Sequence, residues 1–564
     1  MYSESEVRES TLEYFNGDEL ATNVFMTKYC LRDNKGNFME RTPDDMHKRL
    51  AKEFARMEDK FSSKDSTHHL SEEEIYALLK NFRQIVPQGS PMMGIGNDYL
   101  NVSLSNCVVV DNPQDSVSSI MDAGKDLANL FKRRCGVGLD ISDLRPEGAP
   151  VNNSARTTTG AWSFADFYSY VCRMIGQNGR RGALMISMDI RHPDIAEFVK
   201  MKHDLTKVTG ANVSVKITDE FMEAVEAGET FTLQFPVEAE EPDYTADIDA
   251  TDLWNTIIES ATKTAEPGLL MWDNITKNLP AHSYPAFKTK TTNPCGEIPL
   301  SAYDSCRLIS LNLKSMVVAP FTDKARFDYD TFSQIVADGM RLSDDLVELE
   351  LEKLENIRRV ADTEDEKRLW TKLYEAAANG RRTGLGTHGL ADAIACLNIA
   401  YDSPEALIII EKIYRTLRNS AYAASVQLAK ERGAFPAFDW SLEENNDFIW
   451  RLPIELQELI ARHGRRNISI LTNAPTGSVS IMSQTSSGLE PVFRNSYTRR
   501  RKLSHDEQDV EADFVDDLGD RWVEYLVHHH NVQQYLALTG ETEVPAFFVE
   551  SDSIDWTKRV AVQA

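Results

Sequence analysis

Long apolar runs and paired cysteines are both missing from this sequence of 564 residues. No apolar stretch approaches the ~18 residues that a membrane-spanning helix needs. The 7 cysteines include no CxxC pair, which argues against a secreted disulfide scaffold or a zinc ribbon. The first residues, MYSESEVRES, lack the basic start and apolar core of a signal peptide. We therefore expect a cytoplasmic protein with reduced thiols.

Positive charge is scarce as well. Lys and Arg together number 61 against 88 Asp and Glu, which gives a formal net charge of −27. Such a balance argues against polymeric nucleic acid or an anionic membrane as a partner. A nucleotide can still bind locally, because backbone N–H groups and a few Arg side chains suffice for a phosphate.

The common nucleotide-binding signatures are also absent. The run CGVG at residues 135–138 is too short for a dinucleotide fingerprint, and the turn at residues 472–478 lacks the Gly-Lys-Ser/Thr of a P-loop. That turn follows a predicted strand at residues 468–471 and precedes a predicted helix, so it is either a phosphate site or an ordinary turn. The basic turn at residues 176–182 is likewise either a nucleotide contact or a solvated loop.

Strand and helix patterns alternate through much of the chain, which predicts an α/β architecture. Residues 1–95 are mainly helical in pattern, with a capping box formed by Ser71 and Glu74. We expect a helical N-terminal domain over residues 1–95 and an α/β domain over residues 96–564. Within the second domain, residues 102–110 predict a strand and residues 238–252 an exposed acidic loop.

The stretch NPCGEIPL, residues 293–300, is broken by Pro and Gly, which predicts a loop. In an extended or turn-like loop Cys295 and Glu297 lie two residues apart and point to the same side. A thiol beside a carboxylate suits hydrogen and proton transfer. The alternative for a single Cys in a turn, and for Cys107 in a β-branched strand, is a small buried hydrophobe.

Five motifs together resemble a known family. They are SNCVVV around Cys107, NPCGEIPL around Cys295, DSCRLISLNL around Cys306, NAPTGSVSI, and SSGLEP. In this order they resemble the catalytic subunit of a ribonucleotide reductase. The resemblance implies a ten-stranded α/β barrel of the ribonucleotide reductase and glycyl-radical type, with the Cys295 loop threaded through its centre. It also implies the reduction of ribonucleotides, as diphosphates, to 2′-deoxyribonucleotides for DNA synthesis.

The resemblance assigns a role to each residue of the site. Cys295 would carry a thiyl radical, Glu297 would act as general base on the 3′-hydroxyl, and Asn293 would hydrogen-bond the substrate hydroxyls. Cys107 and Cys306 would be the redox pair that ends as a disulfide. The substrate-binding residues implied are Ser90, Asn106, Pro475, Thr476, Gly477 and Ser478.

A second nucleotide site is implied by the family's allosteric control with a dNTP or ATP as effector. Asp115 matches the family's acid for the effector ribose, and Lys202 begins a flexible loop. Asn152 stands where the family has an Arg, which leaves the effector preference open. The N-terminal ATP-cone of many relatives is not apparent, so we expect no shut-off by dATP through that module.

The radical source divides the family into classes. The NPC form of the loop and the missing cone favour adenosylcobalamin (class II) over a radical supplied by a metal-containing small subunit (class I). The resemblance further implies thioredoxin or glutaredoxin as reductant and a homodimer. Family members continue beyond residues 556–564, so we expect a fragment or a split protein whose last barrel strands come from a C-terminal complementing chain.

Two alternatives stay open at this point. One is a different thiyl-radical enzyme of the glycyl-radical group, which would have no use for Cys107 as a redox partner. The other is a nucleotide-binding half of a split reductase, inactive without its C-terminal partner.

Overall fold

The structure is a computed structural model that describes residues 1–62, 68–175, 182–503, 511–517 and 519–564. Most of the basic turn at residues 176–182 therefore lies outside the described residues. Within the described residues, no helix is both long enough and apolar enough to cross a membrane.

Helices make up most of the N-terminal region and the second half of the chain. The α-helices of the described residues are α1 Glu4–Tyr14, α2 Glu19–Lys28, α3 Pro43–Phe61, α4 Glu72–Leu79, α5 Gly89–Gly94, α6 Val117–Phe131, α7 Ala161–Met174, α8 Ile195–Lys200, α9 Asp219–Ala227, α10 Ala250–Thr264, α11 Trp272–Asn278, α12 Tyr329–Arg359, α13 Glu364–Gly380, α14 Leu390–Cys396, α15 Pro404–Arg432, α16 Trp440–Glu443, α17 Asp447–Trp450, α18 Ile454–His463, α19 Gly477–Ser483, α20 His530–Thr539 and α21 Trp556–Gln563. Short 3₁₀ turns occur at Lys80–Phe82, Met201–His203, Pro280–Ser283, Pro285–Phe287, Leu313–Met316 and Ser551–Ser553.

Strands are short and lie mostly between residues 85 and 388. They are β1 Ile85–Pro87, β2 Cys107–Val109, β3 Gly136–Asp140, β4 Leu184–Asp189, β5 Asn212–Ile217, β6 Thr230–Phe235, β7 Tyr244–Asp249, β8 Gly268–Met271, β9 Thr289–Thr292, β10 Pro299–Ser301, β11 Ser305–Cys306, β12 Leu308–Asn312, β13 Val317–Val318, β14 Arg326–Phe327, β15 Gly384–His388, β16 Ser496–Lys502, β17 Phe514–Val515 and β18 Arg521–His528. The predicted α/β class is confirmed.

Two sheets form the frame of the region after residue 84. The larger has the strand order β11-β2-β3-β4-β5-β8, and all neighbours are parallel except β11 and β2. The smaller has the order β1-β12-β15, with β12 and β15 parallel. The β9–β10 hairpin belongs to neither sheet.

The hairpin packs directly against the larger sheet. A methyl group at Gly138 on β3 would overlap the carbonyl oxygen of Thr292 on β9. On the smaller sheet, a methyl group at Gly386 on β15 would overlap the carbonyl oxygen of Thr472. Glycine is required at both positions because backbone approaches backbone there.

The N-terminal helices share one apolar core with α12 and α15. This core contains Phe25, Phe54, Leu311, Leu346 and Ile413, all of which are fully buried. A second core fills the space between the six-stranded sheet and its covering helices. The capping box at Ser71 and Glu74 is present at the start of α4. The domain boundary near residue 95 stays a prediction.

Three predicted elements differ from the structure. Within residues 102–110 only β2 is a strand. The backbone N–H of Leu104 donates to the Glu350 carboxylate of α12 at 2.6 Å, so this N–H is not available to a neighbouring strand. Residues 468–471 run beside β15 and do not form a regular strand. The Leu385 N–H donates to the Ile470 carbonyl oxygen at 3.0 Å, and Leu385 forms an isolated bridge with Leu471. Residues 238–252 are not one loop, since β7 pairs with β6 and α10 begins at Ala250.

Candidate active site

The loop between β9 and β10 is closed by Asn293. Its backbone N–H donates to the carbonyl oxygen of Ile298 at 3.2 Å, and its side-chain Oδ1 accepts the N–H of Ile298 at 3.1 Å. Gly296, at φ +83°, donates its N–H to the Asn293 carbonyl oxygen at 3.0 Å. A positive φ favours glycine, so this residue allows the tight turn that carries Cys295 at its tip.

The Asn293 carboxamide also organises the chemistry of the loop. Its Nδ2 donates to Glu297 Oε2 at 2.6 Å and to Cys107 Sγ at 3.6 Å. Burial raises the pKa of the Glu297 carboxyl, and the hydrogen bond from Asn293 only partly offsets this. Because Asn293 is fully buried, its side chain orients Glu297 relative to Cys107 in this structure.

Cys107 and Cys306 face each other on neighbouring strands. They are directly paired residues of the antiparallel strands β2 and β11. Both side chains are buried, and Cys306 is 0% exposed. Burial, together with contact with Cys107, raises the pKa of the Cys306 thiol well above its ordinary value. Paired positions on antiparallel strands lie close enough for a disulfide.

A cavity of about 320 Å³ joins these groups. Cys295, Glu297 and Cys107 line it together, so the expectation that Cys295 and Glu297 face the same side is confirmed. Cys295 is exposed, whereas the other cysteines are buried. A thiol, a carboxyl with a raised pKa and a second thiol therefore open onto one space of ligand size.

The opposite wall of this cavity is the turn at the start of α19. Four of its residues line the cavity, namely Pro475, Thr476, Gly477 and Ser478. Ser478 Oγ is hydrogen-bonded to the hydroxyl of Tyr29, and Thr476 Oγ1 accepts the N–H of Gly488 at 2.8 Å. Asn106 lines the cavity as well. Ser90 is fully buried in α5 and does not line it.

Sequence reasoning missed the contribution of the N-terminal region to this site. Thr27, Lys28 and Tyr29 at the carboxyl end of α2 line the cavity, as does Arg134 before β3. Nothing in the local pattern of α2 predicts this, because the helix reaches the cavity only through its packing on α19.

Asp115 and the loop that carries Asn152 are linked by Arg145. The Arg145 Nε lies 2.6 Å from Asp115 Oδ2, and its Nη1 donates to the carbonyl oxygen of Pro150 at 2.6 Å. Asn152 is exposed in the turn that follows. These two predicted effector residues therefore belong to one surface region.

Lys202 is engaged elsewhere. Its ammonium group is paired with Glu266 and donates to the carbonyl oxygen of Ala211. This contact holds the loop against the start of β5. The structure thus does not place Lys202 in contact with Asp115.

No group of three or more His, Cys, Asp or Glu side chains is placed to hold a metal ion within the described part of the chain.

Comparison with known proteins agrees with this arrangement. Residues 105–564 match the family described as "Ribonucleotide reductase, barrel domain". The chain is 32% identical over 482 residues to the vitamin B12-dependent ribonucleoside-diphosphate reductase of Mycobacterium tuberculosis (strain CDC 1551 / Oshkosh), covering 85% of this chain and 62% of the relative. It is 31% identical over 488 residues to the protein of the same name from Thermoplasma acidophilum, covering 85% and 57%.

More distant relatives are large subunits. The ribonucleoside-diphosphate reductase large subunit of vaccinia virus is 27% identical over 439 residues, which covers 70% of this chain and 54% of the relative. The chain spans less than two thirds of the length of each of these relatives. With residues 105–564 matching its barrel domain, this chain belongs to the ribonucleotide reductase family.

Proposed function

We propose that the protein reduces ribonucleoside diphosphates to 2′-deoxyribonucleotides by a thiyl-radical mechanism. The observation that carries the proposal is that Cys295, Glu297 and Cys107 line one cavity, with Cys306 directly behind Cys107. A reductase must supply two electrons to its substrate, and the thiols of Cys107 and Cys306 can supply them as a pair. This favours a reductase over another thiyl-radical enzyme of the glycyl-radical group.

The proposed reaction begins at the loop tip. A thiyl radical at Cys295 removes the 3′ hydrogen atom of the ribose, and Glu297 takes the proton of the 3′-hydroxyl. The 2′-hydroxyl then leaves as water, with a proton from one thiol of the Cys107–Cys306 pair. The pair supplies the second hydrogen to C2′ and becomes a disulfide, which accounts for its two electrons and two protons. Cys295 returns the hydrogen atom to C3′, and Glu297 returns its proton to the 3′-oxygen.

We assign the phosphates of the substrate to the turn at residues 475–478. Its support is that Ser478 and Gly477, at the start of α19, line the same cavity as Cys295. Asn106 lies on the same cavity, and Ser90 lies behind it with an Oγ that has no hydrogen-bond partner among the described residues. Holding the substrate between these walls keeps the ribose beside the thiol.

For the radical source we favour adenosylcobalamin over a metal-containing small subunit, since two relatives are named vitamin B12-dependent. The exposed position of Cys295 fits a group that approaches from outside the chain. Thr27, Lys28 and Arg134 at the mouth of the cavity would hold such a group. When bound, it supplies the one-electron oxidation that removes the hydrogen atom of the thiol.

An effector site for a dNTP or ATP is proposed at Asp115 and Asn152, with Lys202 in the neighbouring loop. Its support is the Arg145 bridge between Asp115 and the turn. An effector that displaces Arg145 frees the carboxylate for a ribose hydroxyl. If Asp115→Asn leaves the nucleotide dependence of substrate choice unchanged, the site lies elsewhere.

A homodimer is proposed through α6 and α7, which pack on each other and carry exposed apolar side chains. Met121 is 47% exposed, and Tyr170 is 56% exposed. We expect the double variant Met121→Glu, Tyr170→Glu to sediment as a monomer where the wild type sediments as a dimer. The exposed pair Ile408→Glu, Trp450→Glu, far from these helices in sequence, serves as control. A wild type that stays monomeric at every concentration would contradict the interface.

We propose that a further segment of polypeptide, the complement, closes the sheets into a ten-stranded barrel. Its support is an open groove of about 800 Å³ between α15 and residues 471–473, lined by apolar side chains such as Leu407 and Ile410. A complement that binds only the folded state raises the midpoint of thermal unfolding. Adding it without any such rise would argue against the groove as its site.

We expect Cys107 and Cys306 to be found as a disulfide after a single turnover without added reductant. They are paired residues on β2 and β11, so oxidation requires little movement. Peptide mapping by mass spectrometry after alkylation checks this, and the buried Cys172 and Cys396 serve as controls that stay reduced. If product forms and both Cys107 and Cys306 are afterwards found alkylated, the two thiols stayed reduced and the electron donor lies elsewhere. Repeated turnover then depends on thioredoxin or glutaredoxin, which we propose as reductant.

A further inference from the structure

Behind the Cys295 loop, a chain of buried polar side chains ties β9 to the six-stranded sheet. Ser187 Oγ on β4 donates to Asp140 Oδ2 on β3 at 2.6 Å and lies 2.6 Å from Thr291 Oγ1 on β9. Lys216 Nζ on β5 lies 2.9 Å from the same carboxylate. Asp140, Ser187 and Thr291 are all 0% exposed.

The direction of this chain follows from counting protons. Ser187 has one hydroxyl proton, and the Asp140 carboxylate accepts it. The hydroxyl of Thr291 must therefore donate to Ser187 Oγ. Although burial acts to lower it, Asp140 and Asp189 hold the pKa of Lys216 above its ordinary value, so the ammonium group stays charged. Thr291 is thus hydrogen-bonded to a group polarised by a fixed charge.

The hairpin that carries Cys295 has few other anchors of this kind. Among the strands that the structure describes, β9 pairs only with β10, and the ladder shifts register between Leu300 and Ser301. Asn212 Nδ2 donates to the Pro294 carbonyl oxygen at 2.9 Å, and Thr472 Oγ1 donates to the Glu297 carbonyl oxygen at 2.9 Å. Those two bonds hold the loop itself, whereas Thr291 holds the strand that leads into it. The same strand is also held at the Thr289 N–H, which donates to His282 Nδ1 at 3.2 Å, and at Lys290, whose Nζ lies 3.2 Å from Asp111 Oδ1.

We propose that Thr291 is a positioning residue, which the Lys216–Asp140–Ser187 chain holds in place so that Asn293 and the Cys295 loop stay in register with the cavity. The proposal rests on the proposed function, because it concerns the geometry of that same site. Thr291 lies two residues before Asn293, so a shift of β9 moves the carboxamide that orients Glu297. Misplacement of a reacting group by about 1 Å costs on the order of 10²-fold in rate.

The same strand offers a matched control at Thr289. Its side chain is 7% exposed, and its Oγ1 has no hydrogen-bond partner among the described residues. Thr→Val is close to isosteric, so both substitutions remove one buried hydroxyl from β9. Only Thr291→Val removes a hydrogen bond to the chain, which makes the comparison specific for the anchor.

The test compares Thr291→Val, Thr289→Val and Thr291→Ser with the wild-type enzyme. We expect Thr291→Val to lower kcat about 10²-fold with KM little changed, while Thr289→Val stays near wild type and Thr291→Ser recovers most of the rate. Amide hydrogen exchange over residues 289–300 should be faster in Thr291→Val than in Thr289→Val, Thr291→Ser or the wild type. Ser187→Ala, which breaks the chain from the sheet side, should behave like Thr291→Val.

Three outcomes would overturn the proposal. They are equal kcat values for Thr291→Val and Thr289→Val, a rise in KM without a fall in kcat, and unchanged exchange over residues 289–300 in Thr291→Val. If Thr291→Val does not fold, Ser187→Ala decides in the same way. A wild type that reduces no ribonucleotide would instead refute the proposed function, and the exchange measurement would still decide whether Thr291 anchors the hairpin.

Discussion

Replacing Cys295 with serine is expected to reduce product formation to the background of the assay while the fold and nucleotide binding stay intact. The thiol lies exposed at the tip of the loop that Asn293 and Gly296 shape, and its neighbours in that loop are bonded through their backbone. Serine fits the same turn. An O–H bond is harder to break homolytically than an S–H bond, so the hydroxyl does not form the radical under the same driving force.

The measurement is deoxyribonucleotide formed per enzyme, with nucleotide binding measured in parallel by calorimetry. Cys396→Ser serves as the control, because Cys396 Sγ lies 3.3 Å from Asn531 Oδ1 and a serine hydroxyl keeps that hydrogen bond. Near-normal product from Cys295→Ser would remove Cys295 from the chemistry.

Replacing Glu297 with glutamine is expected to lower kcat by about 10²- to 10⁴-fold, the range that a general base contributes. Glutamine keeps an oxygen for the Nδ2 of Asn293, which now lies 2.6 Å from the carboxylate, so the loop should keep its shape. What is lost is the ability to take the proton of the 3′-hydroxyl.

The pH dependence gives a second and independent readout of Glu297. Burial raises the pKa of this carboxyl, and only the ionised form acts as a base. The wild-type rate should therefore rise as the pH increases through that raised pKa and fall as the pH drops below it. Glu297→Gln should lose this limb, whereas Glu411→Gln, on the surface of α15, should keep it. A limb that survives in Glu297→Gln belongs to another group.

Elements that depend on local sequence patterns could be predicted from the sequence. The capping box at Ser71 and Glu74 depends on residues within a few positions of one another, and it is present at the start of α4. The strand at residues 102–110 was overestimated because its competitor, Glu350, lies about 246 residues away in the chain. No local pattern reports such a contact.

The site divides in the same way. The loop at Cys295 is a local feature, and its Pro and Gly predict the turn that the structure has. That Cys107 and Cys306 are cross-strand partners follows only from the pairing of β2 with β11. The family resemblance implied that the two residues form a redox pair, which their spacing in the sequence does not. The walls supplied by Lys28 and Arg134 depend on packing between distant parts of the chain and went unseen.

The most direct test of the thiyl mechanism is a single-turnover assay with a ribonucleoside diphosphate that carries deuterium at C3′. Adenosylcobalamin and a metal-containing radical subunit are supplied in separate reactions, and Cys295→Ser is run beside the wild type. We expect 2′-deoxyribonucleotide with adenosylcobalamin, formed more slowly from the deuterated substrate, and none from the variant. Product that forms at the same rate from both substrates, or in the absence of Cys295, would contradict hydrogen abstraction by this thiol.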